Sequence, residues 1–413
     1  MKAALIVCDG MADRPIKKLG LKTPLEAAST PNLDRAAKLG VNGIMDVLGA
    51  GIPPGSDTAH LALLGYDPFK TYRGRGALEA LGGGFKVEKE DVAFRGNFAT
   101  VRDGIIVDRR AGRIDSESAA KLTESISGVL HSEKHPDVKV YLIHTTEHRL
   151  ALILRGSGLS PNVSPSDPGK EGNPIMEVKP LDGSPEARKT AEVLNEVSRR
   201  IMEKLREHPL NIERERKGFY PANAVIFRGG GRLPEIPPLP ERFKVRAAFI
   251  AVTALIRGVC LAAGMEPINV KGATGTTKTD VMAKARGLIE ALETHDFCLL
   301  HVKGTDNASH DGNLEEKISM IERIDSMVGY ILDHANLEET YIAITSDHAT
   351  PISVRNHTGD PVPVVILGPE IIGDEVEVFS ERSCRMGGLG RIRGQDLIYI
   401  LMNYLGKIKK FGA

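Results

Sequence analysis

Residues 297–348 read FCLLHVKGTDNASHDGNLEEKISMIERIDSMVGYILDHANLEETYIAITSDH. Two β-rich apolar runs, Phe297–Val302 and Tyr341–Thr345, bracket a stretch with helical periodicity. Within residues 314–335, Leu314, Ile318, Ile321, Ile324, Val328, Ile331 and Leu332 recur at i, i+3/i+4 and form one apolar stripe. Antiparallel partners are joined by short turns, so a crossover helix of this length reads as the link between parallel strands. Strand, helix and strand in this order, with a crossover of this length, predict a parallel sheet covered by helices on both faces.

The same pattern continues toward both ends. Lys2–Cys8 reads as a buried strand, Pro31–Leu39 as a helix with Thr30 as N-cap, and Gly43–Leu48 as a strand. A helix opens at Ser56–Leu64, and Val362–Leu367 is a further strand. The middle differs. Phe94–Arg110 reads as a hairpin about Asp103-Gly104, and Val138–His144 and Arg149–Leu154 as two adjacent strands. Pro185–His208 is an amphipathic helix with Ala187, Ala191, Leu194, Val197, Ile201 and Leu205 on one stripe. The expected fold class is α/β: a core domain of residues 1–88 and 240–413 with a mostly parallel sheet between helices, and an inserted α+β domain at 89–239. The proline-rich run Leu233–Pro240 forms a stiff return to the core.

Composition is consistent with two domains, since 413 residues exceed what one hydrophobic core organises. Lys plus Arg equals Asp plus Glu at 54 each, which argues against a general nucleic-acid or membrane-surface binder. No apolar run reaches the length of a spanning helix. The opening apolar residues meet Asp9 too early for a signal segment and show no cleavage site. Cys8, Cys260, Cys298 and Cys384 lie far apart, as expected of buried thiols in a reducing cytoplasm. The sequence is silent on oligomeric state, and a homo-oligomer is compatible with it.

Chemistry-bearing residues cluster just past the strands. Asp9 follows the first, Asp306 and His310 follow Phe297–Val302, and Asp347-His348 follows Tyr341–Thr345. Ligands of open parallel sheets collect off these carboxyl ends. His357 sits in a polar loop nearby in sequence, and Ser56 opens a helix from a Gly/Pro loop. Taken singly, Asp9 reads as a turn residue and Ser56 as an N-cap. Taken together, the set suits two divalent ions of the borderline type beside a serine that phosphoryl transfer can use as nucleophile. Manganese leads, with zinc, cobalt or magnesium as alternatives.

These pieces resemble a known family. Val7-Cys8-Asp9-Gly10-Met11-Ala12-Asp13, Pro54-Gly55-Ser56-Asp57-Thr58-Ala59-His60, Asp306-Asn307-Ala308-Ser309-His310 and Ser346-Asp347-His348-Ala349-Thr350 are similar to motifs of the archaeal-type cofactor-independent phosphoglycerate mutases of the alkaline phosphatase superfamily. The resemblance implies an alkaline-phosphatase-like core and an isomerase of glycolysis and gluconeogenesis. Such an enzyme interconverts 3- and 2-phosphoglycerate through a phosphoserine, without 2,3-bisphosphoglycerate. It implies Asp9, Ser56, Asp347 and His348 at one metal and Asp306, His310 and His357 at the other. Arg228 and Arg232 are implied to hold phosphoglycerate, Lys271 to lie near the transferring group, and Arg149 to reach the substrate. A metal-dependent phosphohydrolase and a phosphopentomutase of the same superfamily are the rival readings.

Overall fold

The computed structural model describes residues 1–412. Its strands are β1 (Lys2–Cys8), β2 (Val41–Asp46), β3 (Val92–Arg102), β4 (Ile105–Asp108), β5 (Lys139–Thr146), β6 (Arg149–Arg155), β7 (Ala224–Gly231), β8 (Ala247–Ile250), β9 (Glu266–Pro267), β10 (Phe297–Val302), β11 (Thr340–Thr345), β12 (Val362–Leu367) and β13 (Gly390–Arg393). The chain divides into residues 1–72 with 235–413, and residues 73–234. Both boundaries precede the expected 89 and 239. Helix Arg75–Gly82 goes with the second unit because its Ala77 and Ala80 pack on Ala93, Ala151 and Ile153 of that unit's sheet.

In the first unit the sheet order is β13-β2-β12-β11-β1-β10-β8-β9. β1 lies parallel to both β10 and β11, as the strand–helix–strand reading requires. Among the described residues β12 alone runs against its sheet, antiparallel to β11 and to β2. That reversal has a consequence for the site: β12 begins at the edge where β11 ends, so the intervening segment is not carried to the far side. Register aligns Ala4, Ile6 and Cys8 with Cys298, Leu300 and Val302 on one face. They pack with Ile321, Ile324, Val328 and Ile331 of helix Leu314–His334 and with Leu288 of helix Val281–Thr294. Ala3, Leu5 and Val7, of opposite parity, are equally buried, which accounts for the continuous apolar runs. Leu5 and Val7 each contribute roughly 1.5–3 kcal/mol on burial.

Helix Pro31–Leu39 forms where expected, but Thr30 makes no capping bond. Its free amides are taken instead by a carboxylate from another helix: Asp325 Oδ1 accepts from Asn32 N and Leu33 N, both at 2.8 Å. No helix among the described residues is long and apolar enough to cross a membrane. All four cysteines are free and buried.

In the second unit β3 pairs antiparallel with β4, β6 and β7, and β6 with β5. The β3–β4 hairpin turns at Asp103 and Gly104, both with positive φ (48° and 78°), the signature of a tight hairpin turn. Ala187, Ala191, Leu194, Val197, Ile201 and Leu205 of helix Pro185–Arg206 cover one face of this sheet.

Candidate active site

Three loops meet at the carboxyl edge of the first sheet. Asp9 follows β1, and the chain turns at Gly10, whose φ is +66°. A Cβ there would lie 2.7 Å from Thr350 Oγ1 and 2.8 Å from Asp306 Cβ, so only glycine lets the loops close this tightly. Gly10 N donates to Asp347 Oδ1 at 3.2 Å, stitching the loop after β1 to the loop after β11. Asp306 and His310 lie one turn apart on helix Gly304–Asp311.

The structure brings the seven acidic, imidazole and hydroxyl residues together. His348 Nε2 lies 3.5 Å from Asp9 Oδ1 and 3.3 Å from Asp347 Oδ2. His310 Nε2 and His357 Nε2 each lie 3.4 Å from Asp306 Oδ1. Two donor sets of metal-binding geometry result: Asp9, Asp347 and His348, and Asp306, His348 and His357. His348 belongs to both, because its ring stacks on that of His357 at 3.6 Å between centroids. The resemblance had given His348 to one ion only and His310 to the other.

The donor chemistry fits divalent metals. His310 Nδ1 donates to the Arg355 carbonyl and His357 Nδ1 to the Pro54 carbonyl, both at 2.8 Å. Thr350 Oγ1 gives its proton to Asp306 Oδ1 at 2.9 Å, so it accepts from His348 Nδ1 at 3.0 Å. Each ring thus spends its N–H outward and turns an Nε2 lone pair inward, the usual dress of ligating histidines. Asp347 Oδ2 is buried with no hydrogen-bond partner.

Electrostatics tell the same story. Burial and then the Asp9 charge push the Asp347 carboxyl well above the usual range. Burial would raise Asp9 too, but Lys303, His301 and His348 overcome it and hold that carboxyl low. Asp306 is likewise held low, chiefly by Lys303 acting against burial. Burial drives His348 down to about 3, so its ring is neutral. Three crowded carboxyl groups beside a neutral His348 form a site that divalent cations stabilise.

Ser56 is not the N-cap that its position suggests. Gly55 takes that place, and Thr58 Oγ1 bonds both the Gly55 N–H (3.1 Å) and its carbonyl (3.0 Å). The Ser56 hydroxyl is left facing His348 Nε2 at 3.3 Å. His60, one turn on, donates Nδ1 to the Ser56 carbonyl at 2.8 Å.

Three residues at this edge escaped sequence reading. His301 Nε2 donates to Asp9 Oδ2 at 2.8 Å, and Lys303 Nζ reaches Asp9 Oδ2 at 2.9 Å and Asp306 Oδ2 at 2.7 Å. His60 is the third. A lone histidine inside the apolar strand β10 was the available signal for His301. Lys271 is exposed. Its loop is tied to the Asp306 helix through Asn307 Nδ2, which donates to the Gly275 carbonyl at 2.8 Å.

Arg149 and Arg228 lie on one face of the second unit's sheet. Register sets Arg95 opposite Arg228 and Asn97 opposite Arg149. Like charges directly across strands are destabilising, so such a pair marks an anion site more than a structural one. Arg95 Nε, Arg149 Nε and Asn97 Oδ1 are buried without hydrogen-bond partners. Counter-charge is sparse: Glu79 lies 3.3 Å from Arg95 and Asp167 3.5 Å from Arg228. Burial pushes the Arg95 guanidinium down to about 9. Arg232 is engaged differently, donating to Glu90 Oε2 at 2.7 Å and to the Leu159 carbonyl at 2.8 Å. Alternating Arg95 and Asn97 in an otherwise apolar β3 was the sequence signal for this face.

Comparison with known proteins agrees with this geometry. The family described as 2,3-bisphosphoglycerate-independent phosphoglycerate mutase matches residues 37–211. A relative of that name from Ignicoccus hospitalis is 51% identical over 100% of this chain and 99% of its own length. Another, from Methanothermobacter thermautotrophicus, is 48% identical over the full length of both chains. The chain belongs to this family. A solved Pyrococcus horikoshii structure superposes with a TM-score of 0.86 at 41% identity, covering 100% of this chain and 99% of that one. The cofactor-independent phosphoglycerate mutase of Thermoplasma acidophilum superposes at 0.69 with 35% identity, covering 98% and 100%. Both solved structures therefore share the α/β architecture of this chain.

Proposed function

We propose that Ser56 carries the phosphoryl group as this chain, an isomerase, interconverts 3-phosphoglycerate and 2-phosphoglycerate. The observation that supports the reading most directly is the Ser56 hydroxyl, relieved of capping by Thr58 and directed at His348 inside the donor cluster. Ser56 Oγ attacks phosphorus as the bond to the 3-oxygen of glycerate breaks. The proton lost from Oγ is balanced by the one taken up at that oxygen. Glycerate then reorients, and its 2-hydroxyl reverses the step, giving 2-phosphoglycerate and restoring the serine. Asp9, Asp347, His348, Asp306, His310 and His357 would hold divalent ions, which when bound would supply neutralising charge for the phosphoryl oxygens and lower the affinity of Ser56 Oγ for its proton. Manganese suits this Asp/His set first.

Arg149 and Arg228, with Arg95 beside them, bind the anionic ends of the substrate, since planar forks grip carboxylate and phosphate in two places. Retaining glycerate between the two transfers is what separates a mutase from a phosphatase. Lys271 stands as a further cation for the transferring group. A reaction of glycolysis and gluconeogenesis puts the enzyme in the cytoplasm.

The test is product analysis with trapping. Supplied with 3-phosphoglycerate and Mn(II), the protein is expected to form 2-phosphoglycerate and a transient phosphopeptide containing Ser56. Release of inorganic phosphate alone would identify a phosphohydrolase instead.

A further inference from the structure

Helix Leu314–His334 buries an ammonium group that the chemistry above does not use. Lys317 is 0% exposed. It donates to Asp13 Oδ2 at 2.8 Å, to the Thr350 carbonyl at 3.0 Å and to the Ala12 carbonyl at 3.4 Å. An ammonium has three protons, and all three are spent. Each partner lies in a segment that carries proposed metal ligands. Ala12 and Asp13 extend the loop that begins at Asp9, and Thr350 follows Asp347-His348. The side-chain hydroxyl of the same Thr350 touches both Asp306 and His348. Asp13 carries the node further: its Oδ2 accepts from Ile352 N at 3.1 Å, and its N–H donates to Glu381 Oε1 at 3.0 Å.

A buried ion pair is a poor device for stability alone, because desolvation consumes most of its attraction and an apolar replacement often serves as well. What such a pair does well is hold geometry. We propose that Lys317 and Asp13 are positioning residues of the metal centre, setting the spacing of the Asp9 loop, the Asp347–His348 loop and the Asp306–His310 turn. The inference rests on the metal-centre reading above.

Full-length wild type, Lys317→Met/Asp13→Leu and Asp13→Asn are each titrated with Mn(II) by calorimetry. Cobalt-loaded samples are examined by visible absorption, and circular dichroism verifies folding. A folded double variant is expected to bind Mn(II) about ten- to a hundred-fold more weakly, the usual effect of losing supports behind the ligands, with a changed Co(II) spectrum. Wild-type affinity together with an unaltered Co(II) spectrum would overturn the proposal. Should the double variant not fold, Asp13→Asn, which keeps one amide acceptor, decides by the same two readouts. Wild-type protein that takes up no Mn(II) would instead refute the metal-centre reading itself.

Discussion

Replacing Ser56 with alanine separates catalysis from folding, because the structure assigns this hydroxyl almost no mechanical task. Ser56 is the first residue of its helix, and the cap is made by Gly55 and Thr58. Ser56→Ala deletes one buried contact, Oγ to His348 Nε2 at 3.3 Å, worth about 1 kcal/mol. Alanine returns about 0.5 kcal/mol through its higher helix propensity. The net change in stability is therefore expected to stay within about 1 kcal/mol. Loss of the nucleophile removes the covalent route altogether, and mutase turnover is expected to fall by at least about 10⁴-fold, or roughly 5.5 kcal/mol of barrier. The assay couples 2-phosphoglycerate formation to a spectrophotometric readout, with thermal unfolding and metal content measured on the same preparation. A folded, metal-loaded Ser56→Ala protein with more than a hundredth of wild-type turnover would refute the serine mechanism. A phosphopeptide mapping to another residue would do the same.

Four further outcomes follow from other parts of the structure. Asp306→Asn removes one carboxylate charge from the set shared with His310 and His357, so one class of Mn(II) site is expected to weaken ten- to a hundred-fold while the other changes less; metal analysis after dialysis checks this, and equal loss of both would contradict the two donor sets. Exhaustive chelation of wild type is expected to abolish turnover, which Mn(II) restores. Arg149→Ala deletes a guanidinium whose Nε has no protein partner, so folding should be little affected while KM for 3-phosphoglycerate rises about 10- to 100-fold, the worth of a charged hydrogen bond; unchanged KM would remove Arg149 from the substrate face. Burial pushes the Glu381 carboxyl from 4.5 up to about 7, so the folded state holds a proton that the unfolded chain has already released. Stability from this group is present below pH 4.5 and lost as pH rises through 7, by roughly 3 kcal/mol. Denaturant titrations between pH 5 and 8 should show that decline in wild type and a flatter profile in Glu381→Gln, and parallel profiles would contradict the assignment.

Much of the architecture was legible because its causes are local. A stripe at helical spacing in 314–335 and unbroken apolar runs on either side specify a crossover unit whatever lies elsewhere, and β10, β11 and the intervening helix occur where the periodicity puts them. The ligand-bearing positions were legible for a related reason, since polar residues immediately beyond a buried strand have one sheet edge to occupy. The second unit starts at residue 73 rather than the expected 89, and sequence does not show it because the alanine face of helix Arg75–Gly82 carries no label of the sheet it will cover. Residue type alone makes Thr30 an N-cap, but Asp325 arrives from almost three hundred residues away and takes the amides of Asn32 and Leu33.

By itself, then, the order of residues determined which segments are strands and helices, and which side chains wait at strand ends. Only the folded chain decided that β12 runs in reverse and keeps His357 at the reacting edge. Folding alone also placed His348 in both donor sets, set Arg95 against Arg228, and released the Ser56 hydroxyl from capping. The reason is physical: periodicity acts over a few residues along the chain, whereas strand direction, charge crowding and competition for a hydrogen bond depend on groups that become neighbours only through space.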